Sequence, residues 1–270
     1  MRIDIYTVCK NEAMIATFIT DYWKSVADDV NVFVYDEMSE DGTREYLSSL
    51  EFVTVIDNPT DGLDDHNHVM IKNNCWKQSR GKADFVIVCD FDEVLFSWDV
   101  GSLRKSLDVM KSEGRSILAP LSFNVVSDSF PVYDGRYLHE ICRYGFNDYV
   151  WYTKPILFDP DMIGEINYVH GAHCCHPVGD IRWYNPDDVF LVHCKYLGYD
   201  YYRGRVVERK LSKYNKSHGL FAEQEKDDAG LRKVYDDAVS RRFDWHDVRE
   251  NFKEYYKTKH DWSKWSMGVL

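Results

Sequence analysis

Three carboxylates close an apolar, β-branched run at Val86-Ile-Val-Cys-Asp90-Phe-Asp92-Glu93. On a strand, side chains at i and i+2 share a face about 7 Å apart. Asp90 and Asp92 would then repel each other by roughly 2 kcal/mol at an effective dielectric of about 20. A divalent cation reverses that sign. Hard cations such as Mg²⁺ or Mn²⁺ take carboxylate oxygens and bridge them to substrate phosphates, so few protein ligands are needed. The competing reading of an Asp-x-Asp taken alone is a solvated acidic turn that caps the next helix.

The elements that must position these acids alternate between strand and helix through the first 120 residues, the pattern of βαβ units and a mainly parallel sheet. Arg2–Val8, Val30–Tyr35, Val53–Ile56 and Phe85–Cys89 read as strands. Ile15–Ser25, Thr43–Leu50, Val69–Ser79 and Ser102–Glu113 read as helices, with a further strand at Ile117–Ala119. Ligands of such sheets bind beyond the carboxyl ends of the strands. Three polar clusters stand there: Cys9-Lys10-Asn11-Glu12, Asp36-Glu-Met-Ser39-Glu-Asp41-Gly42-Thr43, and Asp90-Phe-Asp92-Glu93. Asp41-Gly42-Thr43 also has a local reading, a cap and tight turn at the start of a helix. From about Asn124 to Tyr196 the pattern loosens into short strands and turns, as on a substrate-facing surface. Beyond it, Tyr199–Lys216, Ala229–Arg241 and Trp245–Lys257 read as helices, with Trp262 and Trp265 following. This tail could pack on the sheet, cover the site or contact a partner.

With 270 residues, the chain can bury one substantial core and carry a helical appendage. Hydrophobic residues make up 44% and aromatics 15%, which fits a globular enzyme rather than a disordered chain. A formal charge of -12, from 33 basic against 45 acidic residues, argues against a broad nucleic-acid interface, whose affinity comes from Lys and Arg displacing counterions. Seven Cys without a repeated spacing fit a reducing compartment. A strand-like start and the lack of an apolar run near 18 residues point to a soluble, unexported, cytoplasmic protein without a transmembrane segment.

The three clusters together resemble the GT-A fold glycosyltransferases, specifically the family 2-like group, whose members carry Cys-x-x-Asn-Glu, Asp-x-x-Ser-x-Asp-Gly-Thr and Asp-x-Asp-Glu. Lys154-Pro-Ile-Leu-Phe-Asp-Pro160, Val169-His170-Gly-Ala-His173 and Val192-His193-Cys-Lys-Tyr196 resemble later blocks of the same group. The resemblance implies an α/β, Rossmann-like GT-A domain over residues 1–198, with a nucleotide-sugar-binding half (1–122) and an acceptor and metal half (123–198). A C-terminal helical region (199–270) follows. It further implies a donor lying across the carboxyl edge of the sheet. Glu12 and Asp36 would contact its base or ribose, Asn11 and Asp41 would belong to the same subsite, and Asp90 and Asp92 would hold Mn²⁺ or Mg²⁺. His193 would be a further metal ligand, against the alternative of a buried core histidine. Lys72 and Asn73, beside Asn74 and Trp76, fall where the family places a donor-facing stretch, and Lys72 could neutralise diphosphate charge.

The function implied is metal-dependent, inverting transfer of a sugar from a UDP-linked donor to a glycan or glycoconjugate. Such a reaction needs a base for the acceptor hydroxyl. Asp148 ranks first, in a Gly/Asn-marked loop, and Glu140 next; His170 and His173 are further candidates. The Glu-Asp pair many family 2 enzymes use has no obvious counterpart. His173-Cys174-Cys175-His176 invites a zinc reading, but adjacent cysteines rarely reach one tetrahedral ion, and a loop lining the acceptor or diphosphate is the better reading. Two rivals stand beside this function: a nucleotidyltransferase acting on sugar phosphates, whose Gly-rich basic phosphate loop Cys9-Lys-Asn-Glu12 does not supply, and a non-catalytic nucleotide- or carbohydrate-binding module.

Overall fold

A computed structural model describes residues 1–97, 100–146, 154–186 and 188–245. The chain opens with β1 (Arg2–Cys9), α1 (Ala13–Ser25), β2 (Asp29–Asp36), α2 (Thr43–Ser48), β3 (Val53–Asp57), α3 (Asp65–Asn74) and β4 (Phe85–Asp90). After its first residue β1 is buried along its whole length, because it lies between β2 and β4 with helices on both faces; such a strand reads as a continuous apolar run. On α1, Ile15, Ile19, Tyr22 and Trp23 recur at helical spacing and are buried together. Each such side chain contributes about 1.5–3 kcal/mol on leaving water.

The middle of the chain adds β5 (Glu93–Ser97), α4 (Val100–Ser112), β6 (Ile117–Leu118), β7 (Leu121–Ser127), α5 (Leu138–Ile141), β8 (Tyr144–Phe146) and β9 (Leu157–Phe158). Then come β10 (Ile163–Glu165), β11 (Val178–Gly179), β12 (Trp183–Tyr184) and β13 (Val189–Leu197). The described chain ends with α6 (Tyr199–Glu208), α7 (Lys213–Ser217), α8 (Asp228–Ser240) and β14 (Phe243–Asp244).

A seven-stranded sheet runs in the order β12-β6-β9-β4-β1-β2-β3, and its β4-β1-β2-β3 portion is parallel. The register aligns Cys9 with Asp36, Asp36 with Asp57, and Val8 with Asp90. All the acidic strand ends therefore emerge at one edge. A five-stranded sheet follows in the order β14-β8-β7-β13-β5. In it His193 stands opposite Glu93 on one side and Asn124 on the other.

Several sequence expectations change here. The acidic triplet does not cap a helix: the chain turns at Phe91, whose buried ring meets Trp23 edge-on at 5.3 Å, and re-enters a sheet as β5. The region read as short strands contains the nine-residue β13, which is buried for most of its length. The helix expected over Tyr199–Lys216 stops at Glu208, because the backbone of Lys210–Ser212 leaves it to bond the loop before α3. Leu63 N donates to Lys210 O at 2.7 Å, and Ser212 N donates to Leu63 O at 3.0 Å. Gly62 makes that approach possible: a Cβ there would lie 2.5 Å from Lys210 O, and its φ is +145°. Most of the helix expected over Trp245–Lys257, and Trp262 and Trp265, lie outside the described residues. Among the described residues no helix is long and apolar enough to cross a membrane.

Candidate active site

A cavity of about 550 Å³ opens at the shared strand edge. Asn11 and Glu12 enter it after β1, Lys72 from α3, Asp90, Asp92 and Glu93 after β4, Lys154 before β9, His193 from β13, and Arg205 and Arg209 from α6 and its end.

Asp90 meets two ammonium groups, Lys72 Nζ at 2.6 Å on one oxygen and Lys154 Nζ at 2.9 Å on the other. Lys154 also binds Glu93 Oε1 at 2.5 Å, and Glu93 Oε2 accepts the Asp90 backbone N–H at 3.1 Å, closing the turn. Burial alone would raise the Asp90 carboxyl, but Lys154 and Lys72 outweigh it and hold it well below the usual carboxylate range. Burial would likewise lower Lys154, and Asp90 and Glu93 reverse that.

Asp92 and Glu12 are linked by α6. Arg205 Nη1 lies 2.7 Å from Asp92 Oδ2 and its Nη2 lies 2.6 Å from Glu12 Oε1, while Arg209 also binds Glu12 Oε1. Burial raises the Glu12 carboxyl despite both guanidinium groups. Asp92 is held well below its ordinary value, because Arg205 and His193 outweigh its burial. The acidic cluster is thus matched, carboxylate for cation, by Lys72, Lys154, Arg205 and Arg209. The repulsion anticipated from sequence is cancelled by the chain's own cations.

His193 Nε2 lies 3.0 Å from the same Asp92 Oδ2, and its Nδ1 lies 2.8 Å from Asn124 Oδ1. Asn124 Nδ2 donates to Phe146 O at 3.4 Å, so its oxygen faces the imidazole and accepts from Nδ1–H. Nε2 shares Asp92 Oδ2 with Arg205 Nη1, where it can donate to the carboxylate or, with Nδ1 alone protonated, turn a lone pair to a cation. Adjacent ligands of an octahedral ion at about 2.1 Å lie about 3 Å apart, so Asp92 and His193 fit two positions of a Mn²⁺ or Mg²⁺ sphere. Among the described residues no group of three His, Cys, Asp or Glu is arranged to hold a metal. Asp90, expected as a third ligand, faces its two lysines instead.

The other expected residues fall elsewhere. Asp36 is fully buried and not among the cavity residues; it accepts from Ser39 N, Ser39 Oγ and Arg44. Asp41 caps both α1 and α2, accepting from Ala13 N and Thr43 N at 3.0 Å each. Asn73 binds the Tyr168 backbone through both ends of its amide. Trp76 is core. Glu140 accepts from Tyr137 N at 2.8 Å and is not among the cavity residues; Asp148 lies outside the described residues. Cys175 is a core thiol pushed up to about 12 by burial, and the zinc reading has no ligand set among the described residues. His173 lines the cavity, and burial and Lys154 push it down to about 3, so it is neutral.

Lys154, Arg205, Arg209 and Asn124 were missed as functional residues. The signal for the cations was electrostatic: acids at the end of a buried strand require counter-charges, although nothing in sequence says which ones reach them. Asn124 becomes visible only when β7 pairs with β13.

No curated protein sequence matches the chain. Among solved structures it is similar to a mannosyltransferase from Pyrobaculum calidifontis in complex with GDP-Man and Mn²⁺. The two share 14% identity with a TM-score of 0.41, over 87% of this chain and 68% of that one. The sequence profile of glycosyltransferase family 92 matches residues 10–228, most of the chain. With its carboxylates, lysines and histidine gathered in one cavity inside that span, this chain belongs to glycosyltransferase family 92 and is a glycosyltransferase.

Proposed function

We propose that the chain moves a sugar from a nucleoside-diphosphate donor, UDP-linked, to a hydroxyl of a glycan or glycoconjugate, with inversion and with Mn²⁺ or Mg²⁺, on a GT-A domain. The observation that carries this reading is the Asp92–His193 pair at the sheet edge, its imidazole oriented by Asn124. Asp92 and His193 are the residues that would hold the ion. When bound, it supplies Lewis-acid stabilisation of the departing diphosphate.

The chain's own residues do the rest. Lys72 and Lys154, balanced by Asp90 and Glu93, set ammonium donors in the cavity wall for the negative charge that develops on the leaving group. Asn11 and Glu12 define the end of the cavity beside β1, assigned to the nucleoside. Lys195, with Glu223 at 2.7 Å, and Phe221 define another part of its wall, assigned to the acceptor. Asp148, in Gly145-Phe-Asn-Asp-Tyr149, is assigned to take the acceptor hydroxyl's proton as that oxygen attacks the anomeric carbon. Glu140 is committed to its own helix terminus, which supports Asp148 over it.

A thermal-shift screen of UDP- and GDP-sugars, with and without Mn²⁺, tests the reading. A ligand that binds only the native state at 100 times its Kd stabilises it by about 2.7 kcal/mol. A Mn²⁺-dependent rise with UDP-sugars is expected. A flat response to every nucleotide sugar overturns the donor assignment, and a rise with GDP-sugars alone overturns the uridine assignment.

A further inference from the structure

Asp90 opens the acidic motif, yet both of its oxygens are taken by the chain's own cations, Lys72 Nζ at 2.6 Å and Lys154 Nζ at 2.9 Å. The two ammonium groups repel each other, and each side chain is only 5% exposed. They stay together because Asp90 lies between them and Glu93 holds Lys154 from the other side at 2.5 Å. Glu93 in turn accepts the Asp90 backbone N–H, so one turn of chain fixes the whole array. All four residues line the cavity.

We propose that Asp90 serves as a positioning residue that holds Lys72 and Lys154 together as a two-lysine seat for the donor's diphosphate. The divalent cation is left to Asp92 and His193. This deepens the function proposed above and rests on it.

Three features carry it. Lysines recognise phosphate as point charges, and an ammonium bound on one or two sides keeps further N–H donors for an incoming oxygen. Desolvated cations this deep act in a weakly screened environment, where a diphosphate would feel both. The charge count also agrees: Asp90 and Glu93 balance Lys72 and Lys154, while Asp92 and Glu12 balance Arg205 and Arg209. At these eight residues a dianionic diphosphate therefore meets balanced charges and N–H donors rather than bare carboxylates.

The test is calorimetric titration of UDP and GDP, and of uridine and guanosine, into the full chain in the presence of Mn²⁺. The variants are Lys72→Met, which leaves the Lys154–Glu93 pair intact, and Glu93→Gln/Lys154→Met, which removes one charge of each sign and retains an acceptor for the Asp90 N–H. Each is expected to weaken the better nucleoside diphosphate by about tenfold or more, the loss of one charge-assisted contact, and to leave its nucleoside within about twofold. Asp90→Asn is expected to weaken the diphosphate similarly, with the Mn²⁺ concentration at half-saturation shifting by no more than about twofold. A folded lysine variant that binds the diphosphate like the wild type, or loses the nucleoside equally, overturns the seat. A shift of about tenfold or more in Mn²⁺ dependence for Asp90→Asn makes Asp90 a metal ligand and overturns its assignment. If the wild type binds neither diphosphate, the donor reading itself falls, and the seat with it.

Discussion

Arg205 is the cation on which two buried carboxylates depend. Its guanidinium reaches Glu12 Oε1 at 2.6 Å and Asp92 Oδ2 at 2.7 Å, and the Glu12 and Asp92 side chains are 1% and 7% exposed. Met at this position replaces the stem and removes the charge. Breaking a buried ion pair from one side costs about 3–5 kcal/mol, because the remaining charge stays buried. Glu12 keeps Arg209 and Asp92 keeps His193, so the lower end, about 3 kcal/mol, is expected for Arg205→Met. In a chain of this size each kcal/mol moves Tm by about 2–4 °C, so a fall of about 6–12 °C follows.

The pH dependence has a definite sign. Glu12 is already raised by burial, and loss of Arg205 raises it further. A raised acid contributes its stability below its unfolded value and loses it as pH rises through its folded value. The deficit of Arg205→Met should therefore be larger at pH 8 than at pH 5. Urea denaturation at both pH values, in a cycle with Glu12→Gln, isolates the pair. Glu12→Gln is expected to rescue part of the loss, about 1–2 kcal/mol. An unchanged Tm for Arg205→Met, or strictly additive single variants, refutes the claim that α6 is electrostatically part of the site.

Asn124→Leu should lower Mn²⁺ affinity about 10–100-fold, the usual effect of losing a group that orients a metal ligand; Mn²⁺ titration followed by electron paramagnetic resonance reads it, with urea melts to check folding. Asp41→Ala should cost about 1–2 kcal/mol in urea denaturation through the lost helix cap, with KM for the donor unchanged, since Asp41 is outside the cavity wall. His173 is neutral in the fold with its value pushed down to about 3, so the wild type should lose stability as pH falls below 6.5. The slope from this one group is at most about 1.4 kcal/mol per pH unit, and it should be absent from His173→Gln when the two are compared by urea denaturation.

The parallel half of the fold was legible because each strand is a single apolar run ended by a polar cluster. Arg2–Val8 against the observed Arg2–Cys9 shows how sharply β1 is written. The later half was not. β13 is apolar enough to be a strand, but its partners β7 and β5 lie about 70 and 95 residues earlier, and pairing over such separations leaves no local mark. The break between α6 and α7 is equally non-local, since it depends on Leu63 and Gly62. The strand-end acids were visible as chemistry, whereas their counter-ions come from α3, the segment before β9, and α6. Asp36 and Asp41 lie near the same edge, but their hydrogen bonds go to Ser39 and Arg44 and to the first turns of α1 and α2.

The central claim is that Asp92 and His193 form the cation seat of a sugar-transferring cavity, and the most direct measurement is Mn²⁺-dependent turnover of the UDP-sugar selected in the thermal-shift screen. Asp92→Asn, with its fold verified by urea denaturation, is expected to lose turnover by about 10²-fold or more, in line with removal of a charged group that acts in the transition state. His193→Ala is expected to fall with it and to need more Mn²⁺. Wild-type Mn²⁺-dependent turnover by a folded Asp92→Asn variant would contradict the assignment.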